Sequence, residues 1–180
     1  MKLFTIGHSN HAIERFAQLL QDNGIQQLVD VRSAPYSRFN PQYNRDFLES
    51  ALKRRKIEYF YEGKRLGGRP NDPSCYKSHK LPAEETDYLH EVDYPEVMRK
   101  EWFLKGIQQL LALAEAGTTT ILCSEEDPAM CHRHHLITRF LLESYPEMTI
   151  QHIRGDGTVF NARSLLKSVN DQPGEQLTLF

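Results

Sequence analysis

Thr118-Thr119-Thr120-Ile121-Leu122-Cys123-Ser124-Glu125-Glu126-Asp127-Pro128-Ala129-Met130-Cys131-His132-Arg133 sets the architecture of this chain. Its opening residues are β-branched and apolar, the composition of a strand, so Cys123 falls at a strand's carboxyl end. In open α/β sheets the ligand crevice lies outside those ends. Two thiols, three carboxylates, an imidazole and a guanidinium then follow, a density of reactive groups that core packing does not require.

Outward from that strand, helix and strand signals alternate. Lys2 to Ile6, Ile25 to Val31, Ile57 to Tyr61 and Met148 to Ile153 read as further strands. Ser9 or Asn10 can cap a first helix with Ile13, Phe16, Ala17 and Leu20 inward, ended by Asn23-Gly24. Asn44 can cap a second with Phe47, Leu48, Ala51 and Leu52 inward. Pro95 opens a long helix closed by Gly117, Asp127-Pro128 begins one running through Leu142, and a short closing helix spans Asn161 to Val169. Gly67 to Asp93 shows no sustained period and reads as a long loop, of the kind that covers functional sites. The expected fold is therefore an α/β three-layer sandwich with a mainly parallel, Rossmann-like sheet of about five strands. It should form a single domain over 1–169, followed by a flexible tail, 170–180.

A formal charge of −2 gives no whole-molecule attraction to nucleic acid or anionic lipid. Arg32 to Arg69, however, holds ten basic residues against four acidic ones. Aromatics are interleaved there, the mix that pairs phosphate contacts with base stacking, and Arg38, Tyr43 and Arg45 are the candidate contacts. No run is apolar enough for a signal peptide or a bilayer span, and three cysteines form no disulfide scaffold. A cytoplasmic protein with reduced thiols and no membrane partner is expected.

A parallel sheet brings three strand ends to one edge: Gly7-His8-Ser9, Asp30-Val31-Arg32 and the Cys123 to Arg133 segment. Gly7 allows close backbone approach, and Ser9 lies where a helix start favours anions. Asp30 and Arg32 either pair with each other or serve a ligand, Asp30 orienting a hydroxyl or the His8 imidazole and Arg32 binding phosphate. Glu125 is the preferred general acid/base, with Cys123 and Cys131 next. Cys131, at a helix start beside Arg133 and with His132 as base, should be the more open thiol. A helix starting at Pro128 would turn Arg133 into the crevice, to bind phosphate with Arg32, and His132 away from it. Cys-x7-Cys-His is not the short Cys-x2-4-Cys knuckle of structural zinc, so neither metal nor cofactor is assigned.

Thr5-Ile6-Gly7-His8-Ser9, Asp30-Val31-Arg32-Ser33, Pro35, Ser37-Arg38-Phe39, Leu66-Gly67-Gly68, Leu122-Cys123-Ser124-Glu125 and Cys131-His132-Arg133 together resemble the bacterial and archaeal family known as domain of unknown function 488. The resemblance implies an α/β fold and a cytosolic protein, and brings no activity with it. More distantly, Asp30-Val31-Arg32 and Leu122-Cys123 resemble the strand ends of rhodanese and cysteine phosphatase domains. Those enzymes wrap the cysteine in a basic anion cradle, whereas acidic residues follow Cys123 here. The last residues, Gln176-Leu177-Thr178-Leu179-Phe180, resemble the peptide with which bacterial repair and replication proteins bind the DNA polymerase sliding clamp. Gln176 would supply a directional hydrogen bond, and Leu177, Leu179 and Phe180 would fill pockets. The leading expectation is an enzyme of DNA metabolism acting on a nucleotide or nucleobase. The alternatives are a non-catalytic nucleic-acid-binding adaptor and a thiol or sulfur-transfer enzyme.

Overall fold

A computed structural model describes residues 1–83 and 86–170 of the chain, with side chains as far as residue 166. Six strands form one sheet: β1 Lys2–Gly7, β2 Gln27–Asp30, β3 Glu58–Tyr61, β4 Thr119–Cys123, β5 Thr149–Ile153 and β6 Val159–Asn161. Their order is β3-β2-β4-β1-β5-β6, parallel except for the β5–β6 pair. The helices are α1 Ile13–Asp22, α2 Arg45–Lys53, α3 Gly63–Leu66, α4 Tyr88–Glu91, α5 Tyr94–Met98, α6 Glu101–Ala116, α7 Arg139–Ser144 and α8 Arg163–Asn170.

Side chains alternate across each strand, so a sheet buried on both faces reads as continuous apolar runs. Phe4, Ile6, Leu28, Leu122 and Ile153 pack on Phe16, Leu19 and Leu20 of α1 and on Leu48 and Leu52 of α2. On the opposite face Leu3, Val29, Ile121 and Ile150 meet Phe103, Ile107 and Leu110 of α6 and Leu141 and Leu142 of α7. These two cores make the three layers. The strand order departs from the 3-2-1-4-5-6 of Rossmann sheets, because β4 stands between β2 and β1.

That placement makes the crevice. The connections after β1 and β2 pass over the α1/α2 face, while the chain leaving β4 turns to the α6/α7 face, as right-handed crossovers require when the direction of travel reverses. The exits diverge on both sides of β4. Register aligns the exits, with Gly7 opposite Cys123 and Asp30 opposite Leu122.

Several local expectations change. Neither Ser9 nor Asn10 caps α1; the residue before it is Ala12, without a side-chain cap. Phe47 is 66% exposed, because Leu48, Ala51 and Leu52 occupy the inward stripe of α2. The long helix from Pro95 is two helices, α5 and α6, broken where Lys100 is extended and bonds Ser74 Oγ at 2.7 Å. Asp127 does cap a turn, its carboxylate accepting from Ala129 N, but Pro128–Met130 is a short 3-10 turn. The backbone is extended at Cys131 and only then enters a π-helical turn, Arg133–Thr138, that leads into α7. β6 was not expected. The loop from Gly67 to Asp93 carries a 3-10 turn at Pro73–Cys75, a bridge from Tyr76 to Val92, and α4. No helix among the described residues is long and apolar enough to cross a membrane.

Candidate functional site

A cleft of about 770 Å³ opens where β1, β2 and β4 end. His8, Ser9, Arg32, Cys123, Glu125, Cys131 and His132 line it, together with Tyr36, Gly68 and Arg69 from the loops and Tyr94 from the start of α5. Sequence reasoning brought the strand-end residues together through the parallel sheet; the loop residues carry no periodic signal.

At the end of β2, Asp30 and Arg32 are a buried pair. Arg32 Nη2 and Nε donate to the Asp30 carboxylate at 2.6 and 2.9 Å, and Tyr59 OH donates to the same group at 2.8 Å. Arg32 Nη2 also reaches the Tyr43 carbonyl at 2.9 Å, while Nη1 lies 3.3 Å from His8 Nε2. His8 Nδ1 is 2.7 Å from the Ser9 carbonyl, so this nitrogen carries the proton and Nε2 accepts from Arg32. Burial first, then the Arg32 charge, lowers the His8 pKa to about 4, which keeps it neutral at pH 7. Burial alone would lower the Arg32 pKa, but the Asp30 bonds raise it. Arg32 thus spends its donors inside the protein, and the node forms a rigid wall of the cleft.

Tyr43 belongs to the same wall. Its ring stacks on His8 at 4.2 Å and meets Phe16 edge-on, and it is fully buried. A buried ring offers no face to a base, so stacking on nucleic acid is replaced by a positioning role. Arg45 lies over Tyr61 at 5.0 Å and is half-buried, whereas Arg38 is exposed. Among the aromatics of that segment Tyr36 and Phe39 are exposed in the loop after β2, as is Phe47 on α2.

At the end of β4, two thiols and an imidazole meet. His132 Nδ1 is 3.5 Å from Cys123 Sγ and 3.9 Å from Cys131 Sγ. Extended backbone at Cys131 produces this, because the helical projection from Pro128 begins too early by one turn. Cys131 is 2% exposed and Cys123 6%, the reverse of the expected accessibility. The hydrogen bond to Cys131, then burial, pushes the Cys123 thiol up; Cys131 is driven well down, since bonds from Cys123 and His132 and the Arg133 charge outweigh its burial. Gly68 lets the ring in, for a Cβ there would lie 2.6 Å from His132 Cγ.

The loop after Cys123 is braced through its carbonyls. Cys123 O and Ser124 O accept from the His8 and Ser9 amides at 3.0 and 2.8 Å. Arg133, fully buried, donates to the carbonyls of Glu125 and Glu126 and does not line the cleft. Its guanidinium is a brace and not a phosphate ligand. Glu126 is held by Arg154 at 2.6 Å, while the Glu125 carboxylate is exposed at the rim and makes no hydrogen bond or ion pair among the described residues. Gly7 is needed because a Cβ would overlap the Glu125 carbonyl. Below, a buried polar string runs from Thr5 Oγ1 to His152 Nδ1 at 2.7 Å and from His152 Nε2 to His134 Nδ1 at 3.1 Å. Gln176, Leu177, Leu179 and Phe180 lie outside the described residues.

Fold and site together define a doubly wound α/β protein with a Cys–Cys–His cluster at its switch-point cleft. The chain belongs to the family described as domain of unknown function DUF488, which matches residues 12–140. No curated protein and no solved structure matches it.

Proposed function

We propose that this protein is an enzyme acting on a nucleotide unit of a nucleic acid, with the Cys123–Cys131–His132 cluster as its reactive centre. One observation carries the reading: a buried thiol–imidazole cluster forms the floor of a cleft whose rim carries exposed Tyr36 and the cation Arg69. Aromatic and cationic side chains beside a groove suit stacked bases and phosphates. Phe39, 89% exposed, and Arg38 extend that rim. The wall formed by Asp30, Arg32 and His8 positions the floor, and the Glu125 carboxylate is free to take or give a proton at the rim. The Gln176 to Phe180 tail would tether the enzyme to a sliding clamp. Sulfur transfer is the weaker reading, since the loop after Cys123 is braced through its carbonyls and the cation beneath it is spent on them.

Anisotropy of labelled single-stranded oligonucleotides at low salt tests this. Binding should weaken steeply with salt and fall when Tyr36→Ala and Phe39→Ala remove stacking faces worth about 1–3 kcal/mol each. Arg38→Ala with Arg45→Ala should flatten the salt dependence. No binding to DNA or RNA at low salt would sink the nucleic-acid reading.

A further inference from the structure

We propose that Cys123, Cys131 and His132 form a three-ligand site for a zinc-class divalent cation whose fourth coordination position opens to the cleft. This rests on the reading of the cleft as the working site and names its cofactor.

The geometry is already close to what such an ion needs. Sulfur ligands at about 2.3 Å and nitrogen at about 2.0–2.1 Å, held tetrahedrally, set S···N at about 3.6 Å and S···S at about 3.8 Å. The two S···N distances are 3.5 and 3.9 Å, and the three ligand atoms lie within 4.8 Å of one another. The sulfur–nitrogen edges are within a few tenths of an ångström of those values, and the sulfur–sulfur edge, no longer than 4.8 Å, closes the triangle.

The imidazole is otherwise without purpose in the packing. His132 Nε2 is buried with no hydrogen-bond partner, and its Nδ1 faces only the two sulfurs. Nδ1 is therefore the ligand atom, and a cation held there fixes the tautomer with the proton on Nε2. The backbone is arranged to permit it: Gly68 clears the ring, and the Arg133 amide donates to Cys131 Sγ at 3.5 Å, the kind of hydrogen bond that orients a thiolate ligand.

Donor chemistry selects the ion. Two thiolates and an imidazole suit zinc, whereas magnesium and calcium require oxygen shells. Structural zinc takes four protein ligands, while three with one open position mark sites that present the ion to a substrate. All three residues line the cleft. The Cys-x7-Cys-His spacing, unlike any knuckle, arises because one ligand ends a strand and the others flank a helix start.

The test uses the full-length chain without an affinity tag. Elemental analysis should find one zinc per chain. After chelator stripping, zinc added at about a hundredfold over its Kd should raise Tm by roughly 5–10 °C, and cobalt should give thiolate-to-metal charge-transfer absorption. Cys131→Ser and His132→Ala should each weaken zinc at least tenfold, while Cys75→Ser, buried elsewhere, leaves it unchanged. His132 is only half-buried, so its variant reports even if Cys131→Ser misfolds. A folded chain with no zinc, no thermal shift and no cobalt band overturns the proposal, as does equal zinc retention in the Cys123→Ser/Cys131→Ser double variant. Oligonucleotide binding, followed in the same samples, separates the two readings. If zinc binds and oligonucleotides do not, the nucleic-acid reading fails; if the reverse holds, the cation fails.

Discussion

Gly68→Ala should disable the cluster with little damage to the fold. The added Cβ would sit 2.6 Å from His132 Cγ, 2.7 Å from Nδ1 and 2.9 Å from Cβ. Because the clash includes the base of the side chain, the ring must retreat by about 1 Å to reach ordinary contact of roughly 3.5–4.0 Å. That retreat takes Nδ1 out of the 3.5 and 3.9 Å contacts with the two sulfurs. Overpacking costs about 1–3 kcal/mol, and the stiffer unfolded chain returns about 0.4–1 kcal/mol, so the net loss should be about 0–2.6 kcal/mol. Zinc affinity should fall at least tenfold. Urea melts and competition against a chromophoric chelator measure the two effects. Gly106→Ala is the control, since its Cβ would press on Arg65 and Leu66, away from the cluster, and should alter stability alone. Native zinc affinity in Gly68→Ala would refute the role given to the ring.

Asp30→Ala strands the buried Arg32 guanidinium and should cost about 3–5 kcal/mol by urea unfolding; a loss below about 1 kcal/mol would show that the pair is not what holds the wall. Burial lowers the pKa of His8 to about 4 and of His152 to about 2, so the native state resists protonation that the unfolded chain accepts below about 6.5. Stability is therefore full above that value and lost as pH falls, by about 2 kcal/mol per imidazole between pH 7.5 and 5; unchanged or rising urea midpoints at pH 5 would contradict this. Deleting Leu177 to Phe180 should leave the melting temperature unchanged and abolish binding to a bacterial sliding clamp, seen by calorimetry as an affinity on the order of micromolar in the intact chain. Equal binding by both chains would end the tether idea.

Strand positions were readable because β-branched apolar runs such as Thr119 to Leu122 have few other uses, and the parallel rule then forces His8, Asp30 and Cys123 to one edge. Helix starts were less readable. Asp127-Pro128 signals a first turn, yet a 3-10 turn satisfies the same signal, and only the extended residue at Cys131 decides which way His132 faces. Phe47 lies at the margin of the α2 stripe, where a helical projection cannot tell core from surface. Tyr43 sits in a basic, loop-rich segment that reads as surface, although its ring fills the space between His8 and Phe16. β6 has a local signal in Asp156-Gly157, a turn pair with Gly157 at φ 99° that returns the chain as an edge strand. Gly68 reaches the cleft from an irregular segment and Tyr94 from the first position of the short helix α5, where no sustained period exists to place them.

X-ray absorption at the zinc edge of the purified full-length protein tests the cluster most directly. Two sulfurs at about 2.3 Å, an imidazole nitrogen at about 2.0–2.1 Å and one further light-atom ligand are predicted. A shell of light atoms alone, or a protein that carries no zinc at its native thiols, would contradict the account.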